Sequence, residues 1–238
     1  MVEELLNRGA NVNTADKDGD TPLYVAVFYG HVKVVRELLN HGANVNTENM
    51  DGVTPLYIAV QEGHNELVEE LLNHDANVNT ADKEGDTPLY VAVFYGHVEV
   101  VRVLLNDGTN VNTENKDGVT PLYIAVQEGH VELVEDLLNY GANVNTANKD
   151  GVTPLYMAVW NGNVEVLEVL LNHGANVNTA NKDGFTPLYI AVQEGHFEVM
   201  RALLNYGAQV DKSKEAGRKF IKLAAEKGYM NLIRDVLK

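Results

Sequence analysis

The chain has 238 residues, 45% of them apolar and 22% charged, so one large domain or two small ones can be built around a sizeable core. Its net charge of −16 sets it against nucleic-acid phosphates and anionic membrane surfaces, so neither is expected as a partner. It has no cysteine, which excludes disulfides and thiol chemistry, and no apolar run approaches the ~18 residues of a membrane span.

Residues 1–14 begin with Met1, Val2, Glu3 and Glu4, which is not the basic start and apolar stretch of a secretory leader. An intracellular site is therefore expected, cytoplasmic or otherwise, with the nucleus and delivery into a host cell both open. Leu5 and Leu6 belong to a short apolar helix, and Gly9-Ala10-Asn11-Val12-Asn13 follows it.

Residues 15–47 hold a complete unit. Asp16-Lys17-Asp18-Gly19-Asp20 reads as a turn. Thr21 is a good helix N-cap, and Pro22 at the first helical position loses nothing by lacking an N–H. Leu23, Ala26 and Val27 then fall on one helical face. Gly30 ends that helix, because the residue past a helix end often needs a positive φ. His31 opens the link to a second helix, where Val34, Val35, Leu38 and Leu39 form the apolar stripe. Gly42 ends it in the same way, and an extended connector leads to the next turn at Asp51-Gly52.

The unit recurs. Thr-Pro-Leu-Tyr begins at Thr21, Thr54, Thr87, Thr120, Thr153 and Thr186, each step 33 residues. A fixed period of this length indicates a repeat array in which every unit packs on its neighbours. The expected units are 15–47, 48–80, 81–113, 114–146, 147–179 and 180–212. Residues 1–14 match only the second half of a unit, which predicts incomplete cover for Leu5 and Leu6 and reads as a cut through a longer array.

Alternate units are the more alike. Residues 15–47 match 81–113 at 28 positions but match 48–80 at only 21, and 48–80 match 114–146 at 28. The duplicated segment is therefore a pair of units. Phe28-Tyr29 and Phe94-Tyr95 mark one member; Gln61-Glu62, Gln127-Glu128 and Gln193-Glu194 mark the other, with Trp160-Asn161 in the fifth unit.

Residues 213–238 depart from the pattern. Gly217 stays in phase with Gly184, but Thr-Pro-Leu-Tyr becomes Lys219-Phe220-Ile221-Lys222. Residues 212–238 carry eight Lys or Arg and three Asp or Glu, a local charge of +5 that leaves −21 on residues 1–211. Lys222, Lys227, Arg234 and Lys238 are expected on an outer face, as a basic capping repeat requires.

The matching residues, Asp16, Gly19, Thr21, Pro22, Leu23, Ala26, Gly30, His31, Val35, Leu38, Leu39, Gly42, Ala43 and Asn46 with their equivalents, make the chain resemble the ankyrin-repeat family over nearly its whole length. The resemblance implies an all-α solenoid of stacked antiparallel helix pairs with short projecting hairpin loops. It also implies protein recognition through the loop tips and the exposed end of each first helix. One departure is systematic. The family's usual histidine after Thr-Pro-Leu is tyrosine in all six copies, at Tyr24, Tyr57, Tyr90, Tyr123, Tyr156 and Tyr189, so the loop hydrogen bonding must differ. These tyrosines either line the groove or are buried with a bonded hydroxyl; the contact area of an aromatic ring favours burial.

No enzyme motif is present: neither a phosphate loop, nor His-Glu-x-x-His, nor a Gly-x-Ser-x-Gly elbow. All eight histidines fall at two positions of the repeat. Equivalent positions lie roughly 10 Å apart, a helix-packing distance too large for shared metal ligation. No cofactor, no metal and no catalysis are expected.

The expected partner-binding residues are Phe28, Tyr29, Gln61, Glu62, Phe94, Tyr95, Gln127, Glu128, Trp160, Asn161, Gln193 and Glu194. The loop residues Lys17, Asp18, Asp20, Met50, Asp51 and Val53 join them. Exposed aromatics favour contact sites; the alternative is that each packs on its neighbour's helix. The partner best suited is another protein with basic and apolar stretches. Weak self-association through the uncovered N-terminal end, and an engineered scaffold, are the competing readings. Asp75 in a glycine slot and Thr109 in an alanine slot speak against idealised design.

Overall fold

A computed structural model of the chain describes residues 2–234, with the side chain of residue 2 left out. Among the described residues there are fourteen helices and no strand. They divide into two compact units, residues 1–116 and 117–238.

The first unit holds α1 (Val2–Asn7), α2 (Pro22–Phe28), α3 (Val32–Asn40), α4 (Pro55–Gln61), α5 (Asn65–Leu72), α6 (Pro88–Phe94) and α7 (Val98–Asn106). Each first helix starts the same way. The Thr21 hydroxyl accepts from the Tyr24 N–H at 3.2 Å, and Thr54 and Thr87 do the same for Tyr57 and Tyr90. Proline occupies the next position, where no N–H is needed. The helices pack in chain order: α2 on α4, α4 on α6, and each on its own second helix. A first helix held between two others has little free surface. In α4 every residue from Pro55 to Val60 is buried, the signature of a helix enclosed on all sides. The second helices bury one stripe: Val35, Leu38 and Leu39 in α3, with Val34 only half-buried. Leu5 of α1 is exposed and Leu6 half-buried.

The second unit repeats this plan with α8 (Pro121–Glu128), α9 (Val131–Asn139), α10 (Pro154–Trp160), α11 (Val164–Asn172), α12 (Pro187–Glu194), α13 (Phe197–Asn205) and α14 (Glu215–Glu226). Thr120, Thr153 and Thr186 cap α8, α10 and α12.

Two polar ladders tie repeats together within each unit. Asn13 accepts from the Asn44 N–H at 2.8 Å and donates to the Gly42 carbonyl at 3.3 Å. Asn46, Asn145 and Asn178 each bridge to the following repeat with the same pair of bonds. The hairpin tips form the second ladder. The Met50 N–H donates to the Asp18 carbonyl, Lys83 to Asp51 and Lys116 to Glu84; in the second unit Lys149 donates to Asp117 and Lys182 to Asp150. Gly19 allows this approach: its φ is +84°, and a Cβ there would lie 2.9 Å from the Met50 nitrogen.

The C-terminal segment differs from the phase its sequence suggests. Gly217 aligns with hairpin-tip glycines, yet it is buried inside α14. A Cβ at Gly217 would fall on the Asp211 carbonyl, so the glycine serves close packing rather than a turn. Helix α14 begins where a hairpin would otherwise project. Lys222 is exposed as expected. Lys227 and Arg234 are exposed too; the Lys227 ammonium reaches the Gln193 carbonyl at 2.6 Å, and Arg234 bonds Asn231. Lys238 lies outside the described residues.

Candidate protein-interaction surface

The aromatic pairs sit where their helices run out of neighbours. Phe28 is the last residue of α2 and Tyr29 its C-cap; Phe94 and Tyr95 hold the same places on α6. Phe28 is 40% exposed, Tyr29 64%, Phe94 42% and Tyr95 52%, so each ring keeps a large face open to solvent. They pack on each other instead. Phe28 meets Tyr29 edge-on at 5.0 Å between ring centres, and Tyr29 stacks on His31 at 6.1 Å. Phe94, Tyr95 and His97 repeat this at 5.1 and 5.9 Å. Each triad is a small ordered aromatic step, not a pair of loose side chains.

The alternate members carry a polar pair at the same place. The Gln61 amide donates to Glu62 at 3.1 Å, and Gln127–Glu128 and Gln193–Glu194 repeat the bond at 3.0 Å. Glu62, Glu128 and Glu194 are exposed, which leaves carboxylate at the surface. Trp160 ends α10 and is 49% exposed. Of the loop residues, Lys17, Asp18, Met50 and Asp51 are exposed. Asp20 and Val53 are half-buried, and the Asp20 carboxylate accepts from the Asn49 amide at 2.9 Å. Asp20 is therefore engaged first in holding two hairpins together.

Six of the eight histidines bond backbone carbonyls. His64, His97 and His196 place Nε2 at 3.4, 3.2 and 3.2 Å from the carbonyls of Phe28, Gln61 and Trp160, at the end of the preceding repeat's first helix. A carbonyl can only accept, so Nε2 carries the hydrogen. His41, His74 and His173 bond the carbonyl four residues earlier through Nδ1, each at 2.8 Å. Where the fifth repeat replaces histidine with Asn163, that side chain caps α11. Asn161 takes over the vacant duty, donating to the Gln127 carbonyl at 3.1 Å. The departure Trp160-Asn161-Gly162-Asn163 is thus a compensated exchange.

The tyrosines of Thr-Pro-Leu-Tyr also differ between repeats. Tyr57, Tyr123 and Tyr156 are buried, while Tyr24, Tyr90 and Tyr189 are half-buried. The Tyr57 hydroxyl donates to Asp82 at 2.9 Å, at the base of the next hairpin. Tyr123 and Tyr156 meet asparagine at that base, and the roles reverse: Asn148 and Asn181 donate to the hydroxyls at 3.4 and 3.2 Å. Burial first, then the nearby carboxylates, raises the pKa of Tyr24, Tyr57, Tyr123 and Tyr156 and so favours the neutral phenol; Tyr156 is pushed up to about 12.

Exposed rings also lie on the second helices and their ends, at Tyr140, Phe197 and Tyr206, which the reading of the first helices left out. The only sequence signal for them is an aromatic where Val32 or His41 and their equivalents stand elsewhere. Tyr206 is anchored through its hydroxyl to Asn172 at 2.7 Å.

Capped helix pairs, interlocked tips and solvent-facing helix ends define an array of stacked helical repeats. The family model described as Ankyrin repeats (3 copies) matches residues 1–49, 47–115 and 108–181, and that described as Ankyrin repeats (many copies) matches 164–204. The chain belongs to the ankyrin-repeat family. It is also 47% identical over 36 residues to an ankyrin repeat protein of Fowlpox virus (strain NVSL), a stretch covering 15% of this chain and 26% of the viral one. Ankyrin repeats are generally protein–protein interaction modules. No helix among the described residues is long and apolar enough to cross a membrane.

Proposed function

We propose that the chain binds a protein partner through the ends of its first helices and its hairpin tips, and that the partner offers apolar side chains interspersed with basic ones. The observation that carries this is the exposure of the two Phe-Tyr-His steps in the first unit. In both the rings meet edge-on, and all four keep 40% or more of their surface open to solvent. Tyrosine, with tryptophan and arginine, is among the side chains most enriched at binding hot spots. Glu62, Asp18 and Asp51 add carboxylates to the same class of positions, and residues 1–211 carry −21 overall. That charge disfavours acidic partners and draws basic ones.

The test compares captured proteins across variants of the whole chain. Replacing Phe28, Tyr29, Phe94 and Tyr95 together by serine should abolish specific capture and leave helical content and melting unchanged. Replacing Tyr140 and Phe197, exposed rings outside this surface, should leave capture intact. The reverse pattern would place binding on the second helices.

A further inference from the structure

The second unit contains a cavity of about 510 Å³ between the last regular hairpin and the start of α14. Gly184, Tyr189, Asp211, Lys214, Ala216 and Phe220 are among its lining residues. We propose that this cavity binds an extended acidic segment of a partner protein, one that imitates the hairpin base and tip of the next repeat. The site is separate from the aromatic steps and does not depend on them.

The protein itself shows what fills this space elsewhere. At Tyr57, Tyr123 and Tyr156 the hydroxyl is bonded by the residue 25 positions on, Asp82, Asn148 or Asn181, at the base of the next hairpin. At Tyr189 that position falls on Lys214, which is the N-cap residue of α14 and not a hairpin base. Tyr189 stacks on Phe185 at 4.3 Å between ring centres, and no described residue bonds its hydroxyl; the Tyr24 hydroxyl has no such bond either, because its hairpin base Asn49 donates to Asp20 instead. The tip ladder stops at the same place. The carbonyls of Asp18, Asp51, Glu84, Asp117 and Asp150 each accept an N–H from the following tip, whereas no described residue donates to the carbonyl of Asp183. The Tyr189 hydroxyl and the Asp183 carbonyl thus lack the bonds that their counterparts Tyr156 and Asp150 make to the following hairpin.

Charge selects the kind of segment. Between residues 211 and 222 there are five basic and two acidic side chains, so the cavity lies in the basic part of an otherwise acidic chain. The Asp211 carboxylate is already engaged by Ser213 and Lys214. An incoming aspartate would accept from the Tyr189 hydroxyl, as Asp82 does from Tyr57. The backbone N–H that follows it would donate to the Asp183 carbonyl. Helix α14 packs on α12, so a slim extended segment fits beside it better than a whole folded repeat.

The probe is the acetylated and amidated heptapeptide Ala-Asp-Lys-Glu-Gly-Asp-Thr, the sequence of residues 81–87, titrated into the isotope-labelled whole chain. Saturable amide shifts are expected at Gly184, Ala216 and Gly217. Tyr189→Phe should weaken binding about five-fold or more, the loss of one hydrogen bond to a charged group, without lowering the melting temperature. A peptide with its first aspartate replaced by alanine should lose as much against the unaltered protein. Absence of shifts at these amides, equal binding by the Phe variant and the alanine peptide, or the same shifts with acetate alone would each overturn the proposal.

Discussion

At the residue scale, Asp75 is the clearest irregularity. It is the only residue other than glycine with a positive φ among those described, at +61°. Its equivalents Gly42, Gly108, Gly141, Gly174 and Gly207 all have room for a Cβ, so what Asp75 carries is backbone strain and not crowding. Asp75→Gly should therefore raise stability by about 0.5–1 kcal/mol, read as a higher denaturant midpoint with unchanged slope. An unchanged or lower midpoint would mean that the aspartate is compensated in the folded state. This position was fully legible in the sequence, because a left-handed helix end is a local property and five in-phase glycines mark it. Trp160 was legible only in part. Its place at a helix end follows from the period, but its half-exposure depends on what the neighbouring helices leave uncovered. With 49% of its surface open, Trp160→Ala should cost little folding stability and roughly 2 kcal/mol or more of partner affinity. Indole emission should shift to the blue when a partner binds. A destabilisation of about 3–5 kcal/mol with affinity intact would instead mark Trp160 as a packing residue.

At the element scale, the hairpin base acts as a hydrogen-bond adapter between repeats. Asp82 accepts from the Glu84 and Asp86 N–H groups through one oxygen and from the Tyr57 hydroxyl through the other. Asn148 makes the equivalent turn bonds with its oxygen and donates its amide to Tyr123. Asp82→Asn should accordingly be nearly neutral, because the hydroxyl can rotate from donor to acceptor. Asp82→Ala removes the turn bonds and the tyrosine's acceptor together, and should cost roughly 2 kcal/mol by thermal or chemical denaturation. Equal losses in both variants would show that the carboxylate charge, not the bonding pattern, matters there. The two-repeat alternation could be read from Phe-Tyr and Gln-Glu, but the bonding of a tyrosine to the next hairpin base could not. Aspartate and asparagine look interchangeable in a turn, and only the arrival of a tyrosine from the preceding repeat distinguishes them. For the same reason the helix pairs and caps were legible, being set by residues within one repeat. The early start of α14 was not, because it depends on Gly217 meeting the Asp211 carbonyl. The tyrosines also set an alkaline limit. Tyr156 is held at about 12 against an ordinary value of 10, so its folded form favours the neutral phenol. That contribution is complete below pH 10 and is lost as the pH rises from 10 through about 12. Phenolate absorbance should therefore rise in two stages, exposed tyrosines first and the buried ones together with unfolding. A single stage complete before unfolding would contradict the burial.

At the scale of the whole molecule, charge is the property that no single repeat reveals. Residues 1–211 carry −21 and residues 212–238 carry +5, a division visible in the sequence once the last repeat is seen to differ. The exposed ion pairs do little to offset it in stability: Arg36 bridges Glu66 and Glu70, and Arg201 meets Glu198, all on solvent-facing helix surfaces where such pairs contribute about 0–1 kcal/mol. The larger consequence is for encounter. A field summed over many carboxylates acts beyond contact distance, and salt cuts its reach to roughly 10 Å at 0.1 M. Association with a basic partner should slow by about ten-fold or more between low and physiological salt, while dissociation changes far less, because dissociation is governed by short-range aromatic contacts that salt does not screen. Stopped-flow measurements at several ionic strengths separate the two rates. Removing the aromatic steps should raise the dissociation rate and leave the salt dependence of association unaltered, since the carboxylates remain. An association rate indifferent to salt would remove electrostatic steering from the binding mechanism, and would leave shape and apolar contact to choose the partner.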